Sequence, residues 1–147
     1  MIRRPLAVVL LTLPLIGSAL EKPAAPEPIL PESLKWFSPP GNNLLHATWV
    51  IGAEKEAGTY AMRVKINKGG KIPAHTHPDT RYSTVLSGTL YVGFGENMDE
   101  AEMVAVPEGG VYVAPANIPH YLFAKDGDVV YQEGGTGPTA TSFLKRP

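Results

Sequence analysis

No cysteine occurs anywhere in the 147 residues. Its absence excludes disulfide staples, thiolate metal sites, a thiol nucleophile and a lipid anchor attached through sulfur. Any metal must therefore be held by nitrogen and oxygen donors. An excess of one charge is lacking too. The 13 Lys and Arg stand against 14 Asp and Glu, which leaves no field to draw nucleic acid or an anionic membrane. Basic residues do not cluster with aromatic ones as a nucleic-acid surface needs. A sustained helical period is missing along the chain. So are a Gly-rich phosphate loop ending in Lys-Ser/Thr and a Gly-x-Ser-x-Gly nucleophile elbow.

What is abundant is punctuation: 15 Gly and 15 Pro point to many turns and short strands. Arg3 and Arg4 are followed by an apolar run over residues 6–20 and by the small residues Gly17, Ser18 and Ala19. A positive start, an apolar stretch and a small-residue cleavage site are the parts of a secretory signal peptide, here residues 1–19. The run is shorter than the roughly 20 residues that cross a bilayer, and Pro14 and Gly17 interrupt it. The expectation is a periplasmic or secreted protein without stable membrane insertion after cleavage. Losing Arg3 and Arg4 leaves 11 basic against 14 acidic residues, a net charge of −3. The arginine pair also admits twin-arginine export, which carries folded proteins.

Residues 20–40 hold Pro23, Pro26, Pro28, Pro31, Pro39 and Pro40, a density that blocks helix and sheet interiors and suits an extended tether. Within it Trp36 and Phe37 either pack on the outside of the following domain or meet a neighbouring subunit. From 41 onward the pattern is strands. Residues 59–67 alternate, with Tyr60, Met62, Val64 and Ile66 on one face, the period of a half-buried strand. Further strands are expected at 44–51, 81–86, 89–94, 103–106, 111–113, 120–123 and 129–132, with Ser87-Gly88 as a two-residue hairpin turn. The fold class is all-β, a sandwich or barrel.

The chemistry gathers between Gly69 and Gly88. His75 and His77 stand two apart, so on a strand both imidazoles leave one face and make half of a metal site. This stretch resembles the first motif of the cupin superfamily, with Gly69, His75, His77 and Gly88 at the matching positions. Gly109, Pro115 and His120 match the second motif. The resemblance covers roughly residues 44–143. It implies a jelly-roll β-barrel over 41–147, a homodimer, and His75, His77 and His120 converging on one metal inside the barrel mouth.

Two departures matter. The first motif's glutamate falls on Arg81, or on Tyr82 at the longer spacing, and arginine has no lone pair to give a metal. Asn117 and Ala124 stand at the second motif's glycine and asparagine; Asn tolerates a positive φ in place of Gly. Three histidines without a carboxylate leave positions open for water, dioxygen or substrate. The site suits one divalent transition metal per chain: copper, zinc, iron, nickel or manganese.

Asp79 keeps strand parity with His77 and offers an oxygen ligand, a histidine-orienting contact or a proton; after Pro78 it also suits a plain turn. Tyr82 is the other candidate for proton transfer. Arg81 either binds the carboxylate or phosphate of a small-molecule ligand or pairs with an acid at the rim. Met62 and Phe94 are expected to line the barrel and its substrate pocket. His46 reads as an ordinary strand histidine. The function that follows is an exported metalloenzyme, either an oxidoreductase of dioxygenase type or an isomerase, acting on a small organic molecule. The alternatives are a non-catalytic sensor or storage module and an empty scaffold.

Overall fold

The computed structural model describes residues 27–144. The expected signal peptide, residues 1–19, and the start of the tether lie outside the described residues. Ten strands follow in chain order: β1 (Leu45–Ile51), β2 (Gly58–Ile66), β3 (Lys71–Thr76), β4 (Arg81–Ser87), β5 (Thr89–Phe94), β6 (Val104–Pro107), β7 (Val111–Ala114), β8 (His120–Phe123), β9 (Val129–Gly137) and β10 (Ser142–Phe143). They form two five-stranded sheets, ordered β1-β2-β9-β4-β7 and β10-β3-β8-β5-β6. Every pairing is antiparallel. Two single 3-10 turns, Pro31–Ser33 and Glu100–Glu102, are the only helical elements among the described residues. The architecture is the expected all-β jelly roll.

Alternation does what it predicts in β2. Tyr60, Val64 and Ile66 are buried, and Met62 packs partly buried against the core. Val85, Leu90, Val92, Leu122, Val129 and Tyr131 close the space between the sheets. Each such side chain contributes about 1.5–3 kcal/mol on leaving water, which is what binds two sheets that share few hydrogen bonds.

Ser87-Gly88 is not a hairpin turn. β4 pairs with β7 and β9, whereas β5 pairs with β6 and β8. The dipeptide therefore carries the chain from one sheet to the other. Gly88 has φ +78°, and a Cβ there would strike the Asp128 carbonyl oxygen. Only glycine passes this crossing without strain. A two-residue gap between two apolar strands looks the same whether the strands pair or part, and core packing decides.

The tether runs along the barrel. Phe37 N–H donates to Ala47 O at 2.9 Å and Ala47 N–H returns a bond to Phe37 O at 2.8 Å, extending the sheet beyond β1. The Trp36 and Phe37 rings stay largely exposed.

Candidate metal centre

A cross-strand row sets the site. On the inner face of the second sheet, Phe143 of β10 pairs with His75 of β3, His75 with His120 of β8, and His120 with Phe94 of β5. Paired residues on antiparallel strands share a face, so two histidines lie side by side between two phenylalanines. A bulge in β3 between Ile72 and His75 makes this possible. It shifts the inward parity so that Ala74 and His75, neighbours in sequence, are both buried. Re-aiming a side chain is what a bulge does.

His77 follows just beyond the end of β3. Its carbonyl accepts from Asn117 N–H at 2.7 Å. Asn117 has φ +61°, a left-handed conformation that asparagine tolerates better than other non-glycine residues. The loop before β8 is thereby tied to the loop after β3, and the third histidine is brought to the first two. Ring centroids lie 4.2 Å apart for His75 and His120, 4.9 Å for His75 and His77, and 5.1 Å for His77 and His120. One nitrogen from each lies within 4.8 Å of the others.

The hydrogen bonds fix which nitrogen that is. Nδ1 of His75 meets Pro73 O at 2.7 Å, Nδ1 of His77 meets Ala140 O at 2.9 Å, and Nδ1 of His120 meets Ile118 O at 3.1 Å. A carbonyl only accepts, so each Nδ1 must carry the proton and each Nε2 of the neutral ring keeps its lone pair. Burial, reinforced by the neighbouring His120, pushes the His75 pKa down to about 3. Burial and the Arg81 charge push His77 down to about 4, and burial lowers His120 in the same direction. At neutral pH the three rings are uncharged donors. Two imidazole nitrogens bound to one ion stand at most about 4.2 Å apart at the usual Zn–N distance. The observed spacing is a small side-chain adjustment from that, and the donor set fits a transition metal.

The other expected residues fall differently. Tyr82 is not at the site. It alternates with the buried Arg81 and Ser83 on β4 and is 61% exposed on the outer face, because period-two geometry sends neighbours to opposite sides. Asp79 sits in the bend between β3 and β4. Its Oδ2 accepts from Tyr60 OH at 2.6 Å and its Oδ1 from Thr139 Oγ1 at 2.5 Å. No hydrogen bond to a histidine is among its contacts, so it acts as a turn residue whose oxygens are both occupied.

Arg81 is buried, not at the rim. Its Nη1 donates to Glu133 Oε1 at 2.6 Å, and its Nη2 to Thr139 Oγ1 at 2.9 Å and Ala140 O at 3.3 Å. Only Nε lacks a hydrogen-bond partner; Asp79 Oδ1 stands 3.8 Å away. The guanidinium is thus already paired through three of its five N–H groups, leaving Nε–H and one Nη1–H. Met62 lies on the opposite sheet from the histidines, as the cross-strand partner of Glu133. Phe94 is half exposed beside His120, 6.2 Å between centroids. His46 bonds Ser38 Oγ and Asn67, away from the cluster.

Sequence reasoning passed over Glu133, Thr139, Ala140 and Phe143. Glu133 had a signal: it continues the inward parity of Val129 and Tyr131 in β9, and an acid on a core-facing position is rarely buried without a partner. Burial raises its pKa, an effect that Arg81 partly offsets. Residues 139–143 carry no motif, and only the fold brings them to the histidines.

The Cupin domain family model matches residues 62–132. Over 68 residues the chain is 34% identical to germin-like protein 5-1 of Oryza sativa subsp. japonica, covering 44% of this chain and 30% of that protein. The chain spans about a third of the length of the curated relatives it matches. Among solved structures, polyketide cyclase RemF from Streptomyces resistomycificus has a TM-score of 0.68 at 13% identity, covering 84% of this chain and 88% of that one. DMSP lyase DddQ from Ruegeria pomeroyi DSS-3 has a TM-score of 0.63 at 17% identity, covering 77% and 62%. At these identities the likeness shows the fold.

Proposed function

We propose that this chain, which belongs to the cupin superfamily, is an exported metalloenzyme that holds one divalent transition metal and acts on a small organic molecule. The observation that carries this reading is the shared pattern of the three histidines: every Nδ1 is tied to a backbone carbonyl, leaving three Nε2 lone pairs facing one another. A structural cluster has no use for three convergent unprotonated nitrogens, whereas carbonyl-oriented imidazoles are the usual support of a metal ligand set. His75, His77 and His120 would hold the ion, which when bound supplies Lewis acidity or oxygen activation.

The chain's own residues then divide the work. The histidines stay neutral across the physiological range and do not compete for protons. Phe94 and Phe143, half exposed at either end of the histidine row, form apolar lips that orient a substrate and exclude water from one side. Arg81 and Glu133 brace the opposite side. No carboxylate joins the histidine group among the described residues. Two structural neighbours are by name a cyclase and a lyase, which supports catalysis on small organic molecules in general and leaves the reaction type open between redox and isomerase-like chemistry.

Export rests on the N-terminal pattern, and a homodimer on the cupin resemblance together with the exposed Tyr82 and Val113, cross-strand partners on the outer face of β4 and β7. Elemental mass spectrometry of untagged protein from the cell envelope, beside a His75→Ala/His77→Ala variant, tests the central part. About one metal per wild-type chain, lost in the variant, supports it. Metal-free wild-type protein would sink it and favour the non-catalytic binding module.

A further inference from the structure

Across Phe94 from the histidines the barrel opens into a cavity of about 590 Å³. It lies where the free edges of the two sheets come together: β6 ends one sheet, β7 ends the other, and they do not pair with each other. Alternation builds its walls. Val92 faces Val104 across β5 and β6, Val106 lies two residues on, and Phe94 continues the same face of β5 toward His120. Tyr112 of β7 closes the far side. Val104 is 66% exposed although its cross-strand partner Val92 is buried. A largely exposed valine on the inner face of a sheet leaves apolar area that a ligand can cover. The only charged residues on the lining are acids, Asp99 and Glu102. The cation that sequence alone offered to a substrate anion, Arg81, is held in the other sheet by Glu133 and Thr139.

We propose that this cavity binds the body of a small apolar molecule that is neutral or cationic, not anionic, and that Phe94 is the wall it shares with His120. The volume falls within the roughly 300–1,000 Å³ typical of small-molecule sites. Apolar walls supply affinity, and the acidic rim opposes a negative group without offering it a partner. As the substrate's seat this rests on the metalloenzyme reading; as a binding site it stands on the cavity alone.

The test uses two fluorescent probes with one ring system. N-phenyl-1-naphthylamine is neutral, and 8-anilinonaphthalene-1-sulfonate adds a negative charge. Titrated into the whole mature protein, the neutral probe should bind saturably at one site per chain and the sulfonate at least tenfold more weakly. Val106→Phe, which fills the cavity, should weaken the neutral probe at least tenfold. Val104→Phe does the same from an exposed position and keeps the test alive should the first variant misfold. Asp99→Asn/Glu102→Gln should narrow the gap between the probes. An absent saturable signal, a sulfonate bound as tightly as the neutral probe, or neutral binding indifferent to both fillings would overturn the proposal. Probe binding that persists in His75→Ala/His77→Ala, whether or not wild type carries metal, supports the cavity separately from the metal. Loss of probe binding by Val104→Phe with the metal content unchanged supports it also.

Discussion

The two sides of the barrel mouth solve the burial of polar groups in opposite ways. On the β3–β8 side three histidines are buried neutral, each satisfied at Nδ1 by a carbonyl and left open at Nε2. On the β4–β9 side Arg81, Glu133, Thr139 and Tyr60 are buried, with the partly buried Asp79, in a charged and hydrogen-bonded network that answers nearly all of its own donors and acceptors. One side is closed on itself; the other keeps unused lone pairs that could hold a metal ion. Arg81 marks the exchange between them. On the cupin resemblance the first motif's glutamate falls on Arg81 or Tyr82, and Arg81 takes a carboxylate from β9 as its partner.

Breaking the closed side should have the largest effect. Glu133→Gln removes the nearer of two counter-charges from a buried guanidinium and leaves Asp79 Oδ1 at 3.8 Å from Nε, a loss of up to about 3–5 kcal/mol on removing one partner of a buried pair, read by urea denaturation. A paired Arg81→Leu/Glu133→Leu replacement should cost much less, since both charges go together; equal losses would show that the ion pair is not what the network protects. On the open side the expected order reverses. His120→Ala should cut metal affinity at least a hundredfold, about 2.7 kcal/mol, while the melting temperature of the metal-free protein moves little. A variant that unfolds while its metal affinity holds would merge the two sides into one structural core.

The pH response sharpens the same contrast. Folded His75 and His77 titrate at about 3 and about 4, below the ordinary 6.5. Between those values the unfolded chain binds more protons than the folded one, so the stability these rings contribute is present above about pH 6.5 and lost as pH falls through that window. Metal-free protein should therefore lose about 1.4 kcal/mol per pH unit for each histidine below pH 6. The raised Glu133 pKa opposes this, because protonating it in the folded state favours folding at low pH. Glu133→Gln should accordingly steepen the acid loss; an unchanged slope would mean that Glu133 does not titrate there.

Smaller effects mark the periphery. Tyr60→Phe removes the bond to Asp79 and should cost about 1–2 kcal/mol. Tyr82→Ala, on the outer face, should stay within about 0.5 kcal/mol and leave metal content unchanged. A metal loss in that variant would return Tyr82 to the site.

How much of this was legible beforehand follows from what each signal depends on. The three histidines and the barrel were readable because two motifs with fixed spacing carry them, and the β2 face was readable because alternation is local. Asn117 at a glycine position was readable for the same local reason. The pairing of Arg81 with Glu133 was not, since the partners lie 52 residues apart and meet only through the register of β4 on β9. Ser87-Gly88 misled because a sheet-switching link and a hairpin turn share one dipeptide. Tyr82 was offered for catalysis only by ambiguity in motif spacing, which strand parity resolves against it. Ala140 and Phe143 had no sequence signal, being placed by the last crossing of the chain over the mouth.

The central claim is that the three histidines wait as neutral Nδ1–H tautomers with their Nε2 atoms on a common point. Long-range proton–nitrogen NMR of the metal-free protein at pH 7, followed by zinc titration, tests this most directly. The account predicts Nδ1-protonated neutral rings for His75, His77 and His120, and a simultaneous shift of all three Nε2 resonances that saturates at one zinc per chain while His46 stays still. Nε2-protonated rings, or zinc that moves fewer than three of these resonances, would contradict it.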